Sequence, residues 1–151
     1  MGNAHLSRLK QGLLNTFSKH ERLTHERLIA RTFSEGKSIK RFPFILIYSE
    51  ARLRDDVTAQ VMMSVGKRRF KKAVDRNRIK RLMREAWRLN KTLFHEPIAK
   101  QNKQMTIILL YVGNKIVTFE ETESKIKELA LRFEKEIEPN DPEHEETKQE
   151  N

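Results

Sequence analysis

The chain has 151 residues, and its 31 Lys and Arg against 21 Asp and Glu give a formal net charge of +10. It has no cysteine, which excludes disulfide frameworks, thiolate zinc sites and cysteine nucleophiles. No apolar run approaches the roughly 20 residues of a membrane span, and the N-terminus lacks an apolar signal core. This composition predicts a cytoplasmic domain that binds a polyanion: RNA, DNA or an anionic membrane surface.

The length fits one domain, and the charge is unevenly distributed along it. Residues 1–103 hold 25 basic and 9 acidic residues, whereas residues 104–151 hold 6 and 12. We predict a flexible N-terminal arm over residues 1–16, a single α/β domain over 17–137 and a disordered acidic tail over 138–151. The tail has no aliphatic side chain after Pro139, so it buries too little apolar surface to offset its chain entropy.

The first half of the chain predicts one helix and two strands. The spacing of apolar residues predicts a helix over Thr24–Phe33, capped by Thr24 and ended by Gly36. Phe42–Tyr48 is predicted to be a strand, and its second residue, Pro43, favours a position near the sheet edge. Thr58–Val65 is predicted to be the next strand.

The second half predicts two helices around one buried strand. Asp75 is the predicted N-cap of a helix that runs to about Asn90. Met105–Val112 is almost continuously apolar, as in a strand buried on both faces. Thr118 and Glu121 form a capping box that opens a final helix. The resulting order of elements predicts an α+β sandwich, a mixed sheet with helices packed on it.

The predicted helix from Asp75 to Asn90 has an apolar face and a basic face. At about 100° per residue, five apolar side chains share one arc that forms the predicted core face: Ile79, Leu82, Met83, Ala86 and Trp87. Six polar side chains cover an adjoining arc: Arg76, Asn77, Lys80, Arg81, Arg84 and Arg88. Like charges at i, i+4 spacing repel each other by a few tenths of a kcal/mol. A solvated charged face usually mixes both signs, so we interpret this arc as a polyanion-binding surface.

Nucleic acid fits this surface better than a membrane does. A membrane-surface helix needs its apolar arc free for lipid, whereas here that arc is needed to cover the sheet. The preceding loop adds five more basic residues: Lys67, Arg68, Arg69, Lys71 and Lys72. Loop and helix together are expected to reach roughly five to ten phosphates, which implies a steep loss of affinity with salt.

The segment Ser64–Arg88 carries an Arg-Asn-Arg motif directly after an apolar strand and a Lys/Arg loop. The motif is Arg76-Asn77-Arg78, and it is continued by a Lys-Arg pair and by one more Arg a turn later. This pattern closely resembles the signature of the bacterial ribonuclease P protein family. The likeness extends to Phe17–Ser38 and Val117–Thr122, and it covers about residues 17–135.

The resemblance implies a fold and a role. The implied fold is a small sandwich like domain 2 of ribosomal protein S5, with the motif helix in a left-handed βαβ crossover. The implied role is to join a catalytic RNA that removes the 5′ leader from precursor tRNA, with one protein per RNA. The resemblance also implies which side chains face that RNA: Arg76, Asn77, Arg78, Lys80, Arg81, Arg84 and Arg88.

The resemblance places the single-stranded leader in the cleft between the sheet and the first helix. Single strands bind by aromatic stacking in a basic groove, which gives five candidates: Phe33, Lys40, Arg41, Phe42 and Phe44. For each Phe the alternative is burial in the core. Trp87 lies on the apolar arc, and we predict that it is a core residue.

The sequence argues against a protein active site. Phosphodiester hydrolysis by a protein usually needs converging carboxylates and His, and no such constellation, nucleophile–base pair or phosphate-binding Gly loop is present in the sequence. We therefore expect no catalytic or metal-binding residue on the protein, and we expect Mg²⁺ to be held mainly by the RNA subunit. Two alternatives stay open: a non-catalytic ribosomal or chaperone-type RNA-binding protein, and a protein-only nuclease.

Overall fold

Four α-helices and a four-stranded sheet make up residues 16–139, the part of the chain that this computed structural model describes. The helices are α1 (Glu26–Glu35), α2 (Ala73–Asn90), α3 (Thr92–Lys100) and α4 (Phe119–Ile137). The strands are β1 (Lys37–Arg41), β2 (Phe44–Glu50), β3 (Ala59–Val65) and β4 (Met105–Tyr111). The α+β class is confirmed. The predicted arm and tail lie almost entirely outside the described residues, so both stay predictions.

The strands are ordered β1-β2-β4-β3, and the sheet is mixed. The pairs β1–β2 and β2–β4 are antiparallel, whereas β3 and β4 are parallel. A parallel pair needs a crossover connection, and α2 and α3 provide it. Because helices cover both faces of the sheet, β4 is buried on both faces as predicted, and Ile107 and Ile108 are both fully buried.

The main core lies on one face of the sheet, under α2 and α4. Phe44, Leu46 and Tyr48 of β2 point into it, together with alternate residues of the other strands. Trp87 packs on Phe94 of α3 with 4.6 Å between ring centroids, and it is 1% exposed, which confirms its prediction as a core residue. Burying each such side chain contributes about 1.5–3 kcal/mol. The core face predicted for α2 is confirmed, although Leu82 is only half-buried.

The opposite face of the sheet is covered by α1. Thr32 is buried there, and its hydroxyl shares a 2.6 Å hydrogen bond with the hydroxyl of Thr106 on β4. The Thr32 hydroxyl lies 2.6 Å from the carbonyl of Leu28, one turn back. This contact fixes α1 against the centre of the sheet. The rest of that sheet face is less covered.

The sequence patterns did not predict β1 or α3, and they placed β2 at the wrong position in the sheet. The strand β1 holds a single buried residue, Ile39, between charged and polar neighbours, so it lacked an apolar signal. Its presence makes β2 an interior strand, contrary to the predicted edge position. Pro43 lies in the β1–β2 turn, and the Phe42–Pro43 peptide is cis. The helix α3, with Pro97 inside it, was also missed.

One of the three predicted N-caps is confirmed. The capping box is confirmed, because the Thr118 hydroxyl accepts from the Glu121 amide and the Glu121 carboxylate accepts from the Thr118 amide, both at 3.2 Å. The other two predicted N-caps are wrong. α1 begins after His25 rather than Thr24, and α2 begins after Lys72, which places Asp75 inside its first turn.

The N-terminal segment from Thr16 to Leu23 runs along the outer side of β3. The Leu23 amide donates to the Val61 carbonyl at 3.0 Å, and the Gln60 amide group donates to the His20 carbonyl at 3.1 Å. The side chain of Lys91, which is 1% exposed, donates to the Thr16 carbonyl. Within residues 16–139, no helix combines the length and the apolar character needed to cross a membrane.

Candidate nucleic-acid interface

The basic surface predicted from the sequence is exposed. Of its twelve polar residues, nine are exposed, namely Lys67, Arg68, Arg69, Lys71, Lys72, Asn77, Arg78, Arg81 and Arg84. The other three, Arg76, Lys80 and Arg88, are partly exposed. Because α2 buries its apolar arc under the sheet, its basic arc faces outward along the whole helix. We call these twelve residues the basic face.

Arg76 differs from the other members of the basic face, because its guanidinium group binds two backbone carbonyls of the preceding loop. Its Nη1 donates to the carbonyls of Phe70 and Lys71, at 2.7 and 2.8 Å. Those carbonyls belong to the loop that precedes α2, so Arg76 holds the loop against the first turn of the helix. The sequence predicted only that this side chain would face RNA.

Arg88, at the other end of α2, is paired with Glu85. The two side chains form an ion pair at 2.6 Å between Arg88 Nη2 and Glu85 Oε1, and Arg88 Nε makes a second hydrogen bond. This hydrogen bonding lowers the pKa of Glu85 below its ordinary value. Part of the positive charge at this end of the basic face is therefore balanced.

The loop of the basic face is anchored to the segment that follows β4. Phe70 is buried and packs on Tyr111 with 5.9 Å between ring centroids, and the Arg69 guanidinium donates to the Asn114 side chain at 2.9 Å. The Tyr111 hydroxyl donates to the carbonyl of Lys115. The exposed Lys115 therefore lies next to the basic face. Nothing in the sequence indicated the contact between Arg69 and Asn114, because these residues are 45 positions apart.

A partly open strip of the sheet lies on the face that carries α1. Strand register places Lys40, Ile45, Leu110 and Ser64 in one row across all four strands. Ile45, Leu110 and Ser64 are half-buried and Lys40 is exposed. We call this row the sheet strip. It ends at Ser64, two residues before the turn that begins the basic loop, so the two surfaces are continuous.

The five candidates for the leader cleft do not all lie on the same face of the sheet. Phe33 is 46% exposed on α1, and Phe42 is 70% exposed in the β1–β2 turn. Phe44 is fully buried in the main core, edge-on to Tyr111 at 5.3 Å, so its prediction as a leader-binding residue is wrong. Arg41 pairs in register with Phe44, which places it on the sheet face opposite to Lys40 and outside the sheet strip.

The acidic and His side chains are scattered. Among residues 16–139, no three His, Cys, Asp or Glu side chains lie close enough together to hold a metal ion. His20 and Asp55 approach to 3.5 Å at the surface. His95 lies in α3, where burial, with a smaller effect from the Lys91 charge, lowers its pKa to about 4.

Comparison with known proteins gives a consistent result. The sequence model of the Ribonuclease P family matches residues 17–134. A ribonuclease P protein component from Porphyromonas gingivalis is 34% identical over 116 residues, which cover 77% of this chain and 85% of that protein. Another from Chlorobaculum tepidum is 36% identical over 110 residues, 68% of this chain and 71% of that protein.

Solved structures show the same fold. An RNase P protein from Thermotoga maritima is similar with a TM-score of 0.59 and 25% identity, over 74% of this chain and 98% of that one. The RNase P protein of Staphylococcus aureus is similar with a TM-score of 0.58 and 21% identity, over 74% and 93%.

Proposed function

The chain belongs to the ribonuclease P protein family, and from this premise we propose how its surfaces serve that role. As a ribonuclease P protein component, it is part of an endoribonuclease that matures the 5′ end of tRNA. The basic face binds the catalytic RNA, and the sheet strip, together with Phe33 and Phe42, binds the 5′ leader of precursor tRNA. One protein serves one RNA.

The observation that supports RNA binding most strongly is the outward, unbalanced charge of α2. Arg78, Arg81 and Arg84 are exposed and have no hydrogen-bond or ion-pair partner among residues 16–139. Arginine binds phosphate oxygens through two hydrogen bonds in a planar fork. A rigid helix whose opposite face is buried presents these groups at fixed spacing, which lowers the ordering cost of binding.

The sheet strip has the composition that a single strand needs. Its half-buried Ile45 and Leu110 offer apolar area to bases, and Lys40 at one end and the basic loop at the other offer charge for phosphates. Phe33 and Phe42 are exposed aromatic rings available for stacking. Because the sheet strip ends beside the basic loop, a leader bound along the strip continues directly onto the basic face.

We propose that the chemistry resides on the RNA. Mg²⁺ prefers carboxylate oxygens and water, and the acidic side chains of residues 16–139 do not gather into a site that suits it. Mg²⁺ held by the RNA subunit would stabilise the charge that develops at the scissile phosphate. The protein's basic groups reduce the repulsion between the two RNA molecules and position the substrate.

Reconstitution tests this assignment. Purified protein is mixed with a bacterial ribonuclease P RNA and labelled precursor tRNA at low Mg²⁺, where RNA alone is expected to be slow. We expect 5′-leader release that requires both components. Cleavage by the protein alone would contradict the proposal, and so would binding without cleavage when the RNA is shown to be competent.

A further inference from the structure

A recess with a volume of about 530 Å³ opens at the end of the sheet where β2 ends and β4 begins. It lies at the opposite end of β4 from the basic loop, and the seven residues of that strand span about 20 Å. Three cationic side chains and one carboxylate line the recess, so its lining has a net charge of +2. The cations are Arg31, Arg52 and Lys103, and the carboxylate is Glu50.

We propose that this recess binds a phosphate group of RNA, separate from the phosphates that the basic face contacts. The proposal rests on the RNA-binding role proposed above and adds a second contact to it. Among the described residues that line the recess only Ala51 is apolar, and it is buried, so the recess lacks the apolar surface that a protein core or a lipid needs. Its Arg and Lys donors, with the side-chain amide of Asn102 beside them, suit phosphate oxygens.

Arg52 lies on a loop that is pinned on both sides of it. The amide of Ala51 donates to the Gln104 carbonyl and the amide of Leu53 donates to the Gln104 side chain, both at 3.0 Å. The side-chain amide of Gln104 in turn donates to two further carbonyls of the loop, at 3.1 and 2.8 Å. Arg52 itself is exposed and has no hydrogen-bond or ion-pair partner in the described part of the chain. A fixed backbone that carries a free guanidinium group lowers the ordering cost of binding an anion.

The other two cations of the recess stand in exposed ion pairs. Asn102 has a φ of 57°, in the left-handed region, and this turn connects α3 to Lys103. Lys103 Nζ lies 3.5 Å from the Glu50 carboxylate, and Arg31 Nε lies 3.0 Å from the Glu35 carboxylate. All four charged side chains are at least 39% exposed. Exposed pairs of this kind add little to stability, so a phosphate replaces either carboxylate at small cost.

Two RNA molecules of the proposed complex carry this phosphate chemistry: the RNA subunit and the precursor tRNA. The volume of the recess is in the range of sites that hold small molecules, which leaves room for the nucleotide that carries the phosphate. Because the recess and the basic loop are about 20 Å apart, the bound nucleotide belongs to a different stretch of RNA from the one at the basic loop.

Two salt titrations with the full chain test the proposal. The first measures binding of the protein to ribonuclease P RNA, and the second measures binding of the assembled holoenzyme, at saturating protein, to precursor tRNA. Arg52→Ala with Lys103→Ala removes two cations from the recess. We expect this variant to lower the slope of log affinity against log salt by about 1 in one of the titrations, which corresponds to about tenfold in affinity at 0.1 M salt.

The matched control is Lys127→Ala with Lys135→Ala, which removes two exposed cations from α4. Lys127 is in a surface ion pair with Glu123, as Lys103 is with Glu50. We expect the control to keep both slopes. Unchanged slopes for the recess variant, or an equal loss in the control, would overturn the proposal.

The titration that changes identifies the RNA. A loss with ribonuclease P RNA assigns the recess to the RNA subunit, whereas a loss only with precursor tRNA assigns it to the substrate. The basic-face variant Arg81→Ala with Arg84→Ala is measured in parallel. If that variant loses affinity and the recess variant does not, the recess assignment alone is wrong; if neither loses affinity, the proposed RNA-binding role is wrong as well.

Two single variants check the sign of the effect and the fold. Glu50→Gln removes the carboxylate of the recess and frees Lys103, so it should raise affinity severalfold in the titration that responds; an unchanged or lower affinity would contradict the proposal. Arg52→Ala alone leaves the pair of Lys103 and Glu50 in place. Since Arg52 is exposed, this variant should keep the urea-unfolding midpoint while it lowers the affinity for RNA.

Discussion

Removal of Arg81 and Arg84 tests the assignment of the basic face directly. Both side chains are exposed, and neither has a partner among residues 16–139, so each is available to one phosphate. Each phosphate contact adds about 0.7–0.9 to the slope of log affinity against log salt. The double substitution to Ala should therefore reduce that slope by about 1.4–1.8, which corresponds to about 25- to 60-fold in affinity at 0.1 M salt.

The assay is binding of the protein to ribonuclease P RNA at a series of monovalent salt concentrations with Mg²⁺ constant. The matched control is Lys100→Ala with Lys135→Ala, which removes the same charge from exposed positions on α3 and α4. We expect the control to keep the slope of the unmodified chain. An equal loss in both double variants would refute the argument, because it would show that net charge rather than the basic face determines affinity.

The same variant also tests the placement of these side chains. Substitutions at exposed positions without partners change the free energy of unfolding by about 0.5 kcal/mol or less. A loss above about 2 kcal/mol in urea unfolding would show that Arg81 or Arg84 contributes to the fold.

Three further predictions concern Glu85, Arg76 and His95. Glu85→Gln should raise RNA affinity severalfold in the same titration, because it removes the carboxylate paired with Arg88; an unchanged affinity would count against contact of this end of α2 with RNA. Arg76→Ala should lower the free energy of unfolding by about 1–3 kcal/mol through loss of two charged hydrogen bonds to loop carbonyls, and Arg76→Lys should recover only part of it in urea unfolding. The folded state keeps His95 neutral down to a pKa of about 4, whereas the unfolded chain binds its proton below about 6.5. The free energy of unfolding should therefore fall by about 2–3 kcal/mol from pH 7 to 4.5 through this group alone. His95→Gln should remove that part of the pH dependence, and parallel curves for both chains would show that His95 is not held neutral.

The elements that the sequence predicted well carry their own local signal. The α4 capping box needs only two residues three positions apart. The continuous apolar run of β4 directly predicts a strand that is buried on both faces. The basic arc of α2 follows from a rotation of 100° per residue and requires no tertiary information.

The elements that were missed depend on tertiary pairing. β1 is a strand because its backbone pairs with β2, and only Ile39 of its side chains is buried. Phe44 was assigned to the leader because a strand residue has two possible faces, and the register with Tyr111 decides which one is buried. The contact between Arg69 and Asn114 likewise joins distant segments, so no spacing predicts it.

The short segment from Thr16 to Leu23 also covers an edge of the sheet. An unpaired edge strand is a template for strands of other molecules, and β3 would present one if Val61 lacked its partner Leu23. At the opposite edge, β1 carries Lys37, Lys40 and Arg41, whose charges repel a second copy. Both edges of the sheet are therefore less open to pairing with strands of other molecules. A chain shortened past Leu23 would lose that protection at β3.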